Sequence, residues 1–444
     1  MPVDEALEGE TVASLGTSYE RRVRIPGHRM KILLWHGYLL GGTGSNVYTR
    51  SLARAWSRLG HEVVVFCQEP HPERFDLGHA TVVRPDLAGG PLPVFVLDRY
   101  DDLDARYLQD LSPAEREEFV ERNAAAVRAH LPADLLVVNH VLLGAPVGVA
   151  AGVPFLVKAH GSELEFSIRG RPDLAAWARR SLAAADAILA GSEHVRAVIE
   201  EVVGAGPHLA RIRVLPPGVD VEEFRPQPRG QALAALLEEA RRDPSNPGRS
   251  RERLPDPGNA ERLRAFLAGG GPTVVYVGKL SEEKGVPLLL EALAEVDTRA
   301  VLVGFGPLRE RLDAGAGGRV LLTGPLEHRH LRHLWPLADV SVTPSVFPEA
   351  FGMVAAEAAA CGSPPLVARH SGLAEVAEGI EAEYPPEHRA LASFTPGDPG
   401  DLARKLRALL ALPAPERARL SAAARRAVEV RWSWEGIAAA ILSL

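Results

Sequence analysis

The sequence predicts an α/β protein built from two doubly wound lobes that face each other across a cleft. Three observations carry this expectation. The chain has 444 residues, too many for one hydrophobic core when domains run to roughly 100–200 residues. Short apolar runs rich in Val, Leu and Ile alternate with amphipathic helical stretches, the pattern of parallel strands covered on both faces. The alternation breaks off near residue 215 and starts again at 273, after a stiff Pro-Gly segment and a hydrophilic stretch.

Taken in order, residues 1–29 carry Asp4, Glu5, Glu8 and Glu10 without an apolar core, and are expected as a disordered leader and not a secretory signal. Met30 opens the first lobe, residues 30–215. Its strands are expected at 31–35, 62–67, 94–97, 135–138, 155–158 and 187–190, with helices at 45–59 and 113–130. Leu215-Pro216-Pro217-Gly218-Val219-Asp220 has the stiffness of a hinge. The second lobe, 216–425, begins with a hydrophilic stretch, 226–271, rich in Arg, Glu, Pro and Gly. It reads as a surface insertion holding one helix at 231–241 and a mobile loop, with a substrate lid as the alternative. Strands follow at 273–277, 300–303, 320–322, 340–342 and 365–368, with helices starting at Val286, Pro307, Glu327 and Gly352. The final segment, 426–444, is a separate helical unit. No repeat at a period of 20–50 residues suggests a solenoid.

Composition excludes several classes. Hydrophobic residues are 46% and charged residues 24%, the balance of an ordinary globular chain. A net charge of -7 supplies no field for holding nucleic acid. The apolar stretch 141–157 is interrupted by Gly144, Pro146, Gly148, Gly152 and Pro154, so no membrane-spanning helix is expected. Cys67 and Cys361 lie far apart in apolar segments without CxxC spacing, and read as buried thiols in a reducing, cytoplasmic compartment.

Three constellations carry chemistry. Gly41-Gly42-Thr43-Gly44 joins the first strand to a helix, where backbone amides and the helix N-terminus attract anions. It departs from GxGxxG, and no acidic residue closes a second strand to hold a ribose, so a nicotinamide enzyme is disfavoured. Alone it is equally a tight strand-to-helix turn. Gly278-Lys279-Leu280-Ser281-Glu282-Glu283-Lys284-Gly285 follows the strand that opens the second half. Two lysines five apart on such a loop suit a diphosphate whose charge must be neutralised as it leaves. In Glu349-Ala350-Phe351-Gly352-Met353-Val354-Ala355-Ala356-Glu357, two carboxylates flank a helix start bared by Gly352. Carboxylate oxygens accept from vicinal sugar hydroxyls, and the helix amides favour phosphate.

From Met30 to the C-terminus, outside 226–271, the order and spacing of these motifs resemble retaining glycosyltransferases of family 4, which have the GT-B fold of two Rossmann-like domains. His160-Gly161, Ala190-Gly191-Ser192 and the 215–220 segment add to the resemblance. It implies a hexosyltransferase using a nucleotide-sugar donor, UDP- favoured over GDP-, with a hydroxyl acceptor it does not identify. It implies that Lys284 meets the donor pyrophosphate, with Lys279 where an arginine is usual. Lysine is a point charge and arginine a planar fork, so donor orientation is expected to differ. Glu349 resembles the carboxylate facing the transferred sugar, Glu357 the one holding the ribose hydroxyls, and His160 a hydrogen-bonding group facing the donor sugar across the cleft. Catalytic roles are thus expected for His160, Lys279, Lys284 and Glu349. Donor contacts are expected from Gly41, Gly42, Gly278, Pro325, Leu326, Phe351, Gly352, Met353 and Val354 as well, with Gly324-Pro325-Leu326 against the nucleobase. Phe305 stands where the pattern usually has an aspartate, and nothing in the sequence explains that exchange. The last helix, near 432–444, is expected to cross back to the first lobe.

A DxD pair, Asp102-Leu103-Asp104, is of the kind that holds a divalent cation on a diphosphate, but sits in an acidic segment far from the second lobe and reads as a solvated loop. No metal and no cofactor are expected. Arg169, Arg171, Arg179 and Arg180 around Trp177 are either an ordinary solvated helix or a peripheral membrane contact. A GT-B nucleotide-sugar epimerase, a phosphorylase and a non-catalytic nucleotide-sugar-binding protein remain rival readings. Oligomeric state is left open.

Overall fold

The computed structural model describes residues 28–95, 103–246, 254–315 and 317–444. The expected leader up to residue 27, Asp102 of the DxD pair and part of the 226–271 segment lie outside them.

The first half supplies β1 (Lys31–Trp35), β2 (Glu62–Phe66), β3 (Thr81–Val83), β4 (Leu92–Val94), β5 (Ala105–Tyr107), β6 (Leu135–Asn139), β7 (Leu156–Lys158), β8 (Ala187–Ala190) and β9 (Ile212–Val214). Seven of them form a parallel sheet in the order β3-β2-β1-β6-β7-β8-β9, and β4 pairs with β5 in a side ribbon. The second half supplies β10 (Thr273–Val277), β11 (Arg299–Val303), β12 (Val320–Leu322), β13 (Val340–Thr343), β14 (Pro365–Ala368) and β15 (Ser393–Phe394), a parallel sheet ordered β12-β11-β10-β13-β14-β15. In each sheet the central strands are buried on both faces, which explains their unbroken Val/Leu/Ile character. Each order reverses direction once, between β1 and β6 and between β10 and β13. Doubly wound sheets bind ligands outside the carboxyl ends of the strands at such a reversal.

The hydrophilic stretch is not the surface insertion expected. It contains two helices, Arg229–Arg241 and Asn259–Ala268, which bury Ala232, Leu236 and Leu237, and Leu263 and Leu267, in the second lobe's core. Spacings of i, i+4 put these few apolar residues on one stripe, hidden in the sequence by the surrounding Arg and Glu. Between the helices, Asp256 takes Arg309 at 2.6 Å, and its amide donates to the Thr323 carbonyl at 2.8 Å. The segment therefore braces the Gly324 loop.

The C-terminal unit also begins later than expected. Residues 426–431 complete the helix Ala414–Arg431, whose Leu420, Ala424 and Val428 pack in the second lobe. Only Trp434–Leu442 crosses back, burying Trp434, Ile437, Ala438 and Ile441 against Ile32, Leu52 and Trp56 of the first lobe. Where the chain crosses, Val219 forms a parallel bridge with Ser433. The Val219 amide donates to the Trp432 carbonyl at 2.6 Å, and the Trp434 amide donates to the Val219 carbonyl at 3.1 Å. Both passages between the lobes therefore lie side by side.

Candidate active site between the lobes

The loops that follow β10 and β13 flank the reversal in the second sheet, and there Lys284 and Glu349 meet. Lys284 Nζ lies 2.5 Å from Glu349 Oε1, with both side chains partly exposed. Gly285 makes this possible: at φ +68 an added Cβ would sit 1.8 Å from the Pro344 carbonyl oxygen, so only glycine lets the two loops touch. The amides of Val346 and Phe347 then donate to the Glu283 carbonyl, at 3.0 and 3.1 Å. The Glu349 backbone is fixed by Ser371, whose Oγ accepts from its amide at 2.9 Å.

Lys279 is exposed. Its carbonyl accepts from the Tyr276 hydroxyl at 2.7 Å, and burial, then the Glu349 charge, push the Tyr276 phenol up. The exposed Glu283 carboxyl is held below the usual range by hydrogen bonds to Ser281 and its own amide, and then by the charges of Lys279 and Lys284. Both lysine charges thus act on one carboxylate. Gly278 packs against the Tyr276 ring.

Gly352 has φ +128, and an added Cβ would lie 2.7 Å from Leu373 Cδ2. It precedes the helix Met353–Ala360, whose N-terminus carries no side-chain cap, leaving first-turn amides available to an anion. Met353 and Val354 are half-buried against the core. Phe351 differs from expectation: its side chain is 5% exposed and packs edge-on against Trp432 at 5.5 Å. Any donor contact there belongs to its backbone. Pro325 and Leu326 are half-buried beside Gly324. Glu357 is 4% exposed and pairs with His328 at 3.1 Å.

From the first lobe, the Gly41-Gly42 loop leaves β1 and enters the helix Gly44–Arg58, whose N-cap Thr43 makes no side-chain cap. Gly42 has φ +93, and a Cβ on Gly41 would lie 3.1 Å from Phe75. His160 follows β7, but its ring is engaged within its own lobe. Nε2 lies 2.8 Å from Asn139 Oδ1, and the His160 backbone amide donates to the Glu163 carboxyl at 3.0 Å. Burial, then the charges of Lys158 and His36, hold His160 well below the usual histidine range. One ring nitrogen is thus engaged with Asn139 inside the first lobe, and the His160 amide helps shape the loop that leads into Gly161.

The lobes touch around these loops. Ser192 Oγ donates to the Ala350 carbonyl at 2.6 Å, and a Cβ on Gly161 would lie 3.3 Å from Ala350 Cβ. Glu375 accepts from the amides of Glu193 and His194 at 3.0 and 3.2 Å. Phe166 stacks on Phe347 with centroids 5.9 Å apart. Arg54 and Arg58 grip Asp220 at 2.9 and 2.8 Å. Lys158, 3% exposed, donates to the Leu215 carbonyl at 3.2 Å, and burial lowers its pKa to about 7.

Lys158, Glu163, Tyr276, Arg50 and His328 were not singled out from sequence. Lys158 and Glu163 stand within three residues of His160, yet only their burial marks them.

Among the described residues, no group of three or more His, Cys, Asp or Glu is placed to hold a metal ion, and Asp104 pairs with Arg106 at 2.6 Å. None of the described helices is long and apolar enough to cross a membrane. The arginines near Trp177 are largely engaged: Arg169 with Glu165 and Glu201, Arg171 with the Phe166 carbonyl and Arg179 with that of Val203. Of these three, only Arg169 is paired with carboxylates; Arg171 and Arg179 keep their charge while bonded to neutral carbonyls.

Two family models match, Glycosyltransferase Family 4 over residues 42–223 and Glycosyl transferases group 1 over residues 260–427. A D-inositol 3-phosphate glycosyltransferase of Xylanimonas cellulosilytica is 32% identical over 275 residues, covering 59% of this chain and 57% of that protein. One of Catenulispora acidiphila is 29% identical over 89% of this chain and 88% of that protein. Among solved structures, sucrose-phosphate synthase from Thermosynechococcus elongatus aligns with TM-score 0.66 at 24% identity, covering 94% of this chain and 98% of that one. Anabaena HepE in complex with UDP-glucose aligns with TM-score 0.65 at 19% identity, covering 94% and 100%. With both halves matched by models of one enzyme class, and each half built on a doubly wound parallel sheet, the chain belongs to the family 4 glycosyltransferases of GT-B fold.

Proposed function

We propose that the protein is a retaining hexosyltransferase that moves a sugar from a nucleoside diphosphate donor, UDP- favoured over GDP-, to a hydroxyl acceptor without a metal ion. The observation that carries this reading is the Lys284–Glu349 contact at the reversal of the second sheet, beside the point where Ala350 meets Ser192 of the first lobe. An ammonium there neutralises the departing diphosphate, and a carboxylate beside it stabilises positive charge on the sugar ring. Lys279 and the amides of the Gly41-Gly42 loop and of the Gly352 helix start supply further charge complementarity. Retention follows if the departing phosphate oxygen takes the acceptor's proton on the same face, so no separate base is assigned. His160 holds Gly161 in place. Closure of the lobes excludes water that would compete as acceptor.

The names of the curated relatives make inositol 3-phosphate the first acceptor to try, and the HepE complex makes UDP-glucose the first donor. A thermal-shift panel of UDP-, GDP- and ADP-sugars identifies the donor, because a ligand bound only by the folded state raises its melting temperature. Transfer assays on the donor so found, with the product's anomeric configuration read by NMR, then test the reaction. An inverted product sinks retention. Sugar interconversion without acceptor marks an epimerase, dependence on inorganic phosphate a phosphorylase, and donor binding with neither transfer nor slow hydrolysis a non-catalytic binder.

A further inference from the structure

Glu357 offers Oε1 to His328 Nε2 at 3.1 Å. His328 opens the helix His328–Leu334, just past the Gly324-Pro325-Leu326 loop, and Phe224 holds its ring edge-on at 5.5 Å. Its other nitrogen, Nδ1, lies 2.6 Å from Nη2 of Arg50, which comes from the first lobe on the helix that opens at the Gly41-Gly42 loop. Arg50 is itself steadied, by the Leu40 carbonyl at 3.3 Å and by the Phe75 ring 5.6 Å beneath its guanidinium. An arginine only donates, so Nδ1 accepts, the imidazole proton sits on Nε2, and that N–H side of the ring faces Glu357 Oε1 at 3.1 Å. The donors therefore run in one direction, from the first lobe to a carboxylate in the second.

The choice of residues matters. An arginine placed directly on Glu357 would engage both carboxylate oxygens as a fork and withdraw them from a ligand. A histidine between them takes one oxygen only. We propose that Arg50, acting through His328, is a positioning residue for nucleotide recognition: it fixes Glu357 by Oε1 so that Oε2 receives the ribose hydroxyls, and the first lobe thereby contributes to a site otherwise built by the second. This rests on the reading of Glu357 as the ribose carboxylate, and the experiment separates the two.

The test uses the full chain and calorimetric binding of UDP and 2′,3′-dideoxy-UDP, with GDP and its dideoxy analogue in parallel, to the wild type and to Arg50→Ala, His328→Ala and His328→Gln. The wild type binds the ribonucleotide about tenfold or more tighter than the dideoxy form, the discrimination expected when a buried acceptor loses its donors. Arg50→Ala and His328→Ala lose roughly tenfold in ribonucleotide affinity while dideoxynucleotide affinity barely moves. His328→Gln, whose amide both accepts and donates, keeps more of the preference than His328→Ala. Far-UV circular dichroism and melting temperature exclude a folding defect. A wild type that ignores the ribose hydroxyls sinks the Glu357 reading itself. A wild type that reads them, with alanine variants that read them equally well, overturns the Arg50–His328 relay and leaves the Glu357 reading standing.

Discussion

The indole nitrogen of Trp56 donates to the carbonyl oxygen of Ala438 at 3.1 Å, fastening the last helix of the chain to the first helix of the first lobe. Around that bond Trp434, Ile437, Ala438 and Ile441 complete a core that the first lobe does not close by itself. Ile441 is fully buried, so Ile441→Ala should cost about 2–5 kcal/mol of stability, measured by denaturant unfolding. Truncation before Trp434 should destabilise the first lobe more than the second, which limited proteolysis of residues 30–215 would register.

Lys284→Ala and Glu349→Gln are each expected to lower kcat about 10²–10³-fold. The pair is partly exposed, and such pairs contribute only about 0–1 kcal/mol to folding. Activity and stability should therefore separate: transfer nearly vanishes while the melting temperature shifts by little. Near-normal transfer by both variants, measured with the donor found by thermal shift, would remove these residues from the mechanism.

Stability should depend on pH through Glu163. This carboxyl is fully buried, accepts from the His160 and Leu142 amides at 3.0 and 3.1 Å, and is pushed up by burial to about 7. A folded-state value above the unfolded one means that the folded chain holds this proton more tightly. The stabilisation is complete below about 4.5 and is lost as pH rises through about 7. Glu163→Gln keeps an acceptor for those amides and should flatten the melting temperature against pH across that window, while an unchanged slope would assign the dependence elsewhere.

Lys158 should act in the next window. Burial depresses it from 10.5 to about 7, so its contribution is present above about 10.5 and is lost as pH falls towards about 7. Lys158→Met should remove that slope. Equal slopes in variant and wild type, from thermal denaturation between pH 7 and 10.5, would count against a neutral, buried amine at the crossing.

Transfer is expected to survive exhaustive chelation, because lysines and helix amides supply the charge that a divalent cation would otherwise bring to the diphosphate. An assay with chelator, then with added Mg²⁺ or Mn²⁺, checks this. Loss of rate that either cation restores would refute metal independence.

How much of this was legible in the sequence depended on whether the signal was local. β1, β8, β10, β12 and β14 fall where their apolar runs end, since a strand buried on both faces writes its limits in its own residues. β3, β9 and β15 were missed: each is two or three residues long and finds its pattern only in a neighbour's hydrogen bonds. Asn259–Ala268 was missed because two buried leucines sit among charges that face water. At the site, Lys279, Lys284, Glu349 and Glu357 were legible as motif residues. The bonds that His160 makes to Asn139 and to the Glu163 carboxyl were not legible, because only the fold brings those partners to it. Arg50 and His328 stand 278 residues apart, and only the folded chain makes them neighbours.

The bridge between Val219 and Ser433 has a mechanical consequence. Two passages of the chain joined along one line behave as a spine, leaving the lobes a single easy rotation, like the covers of a book. Sliding or twisting would tear the backbone hydrogen bonds that Val219 makes on both sides. Opening instead spreads the pages most at their outer margin and least at the binding, so both covers must swing on the same seam for a substrate to enter or leave.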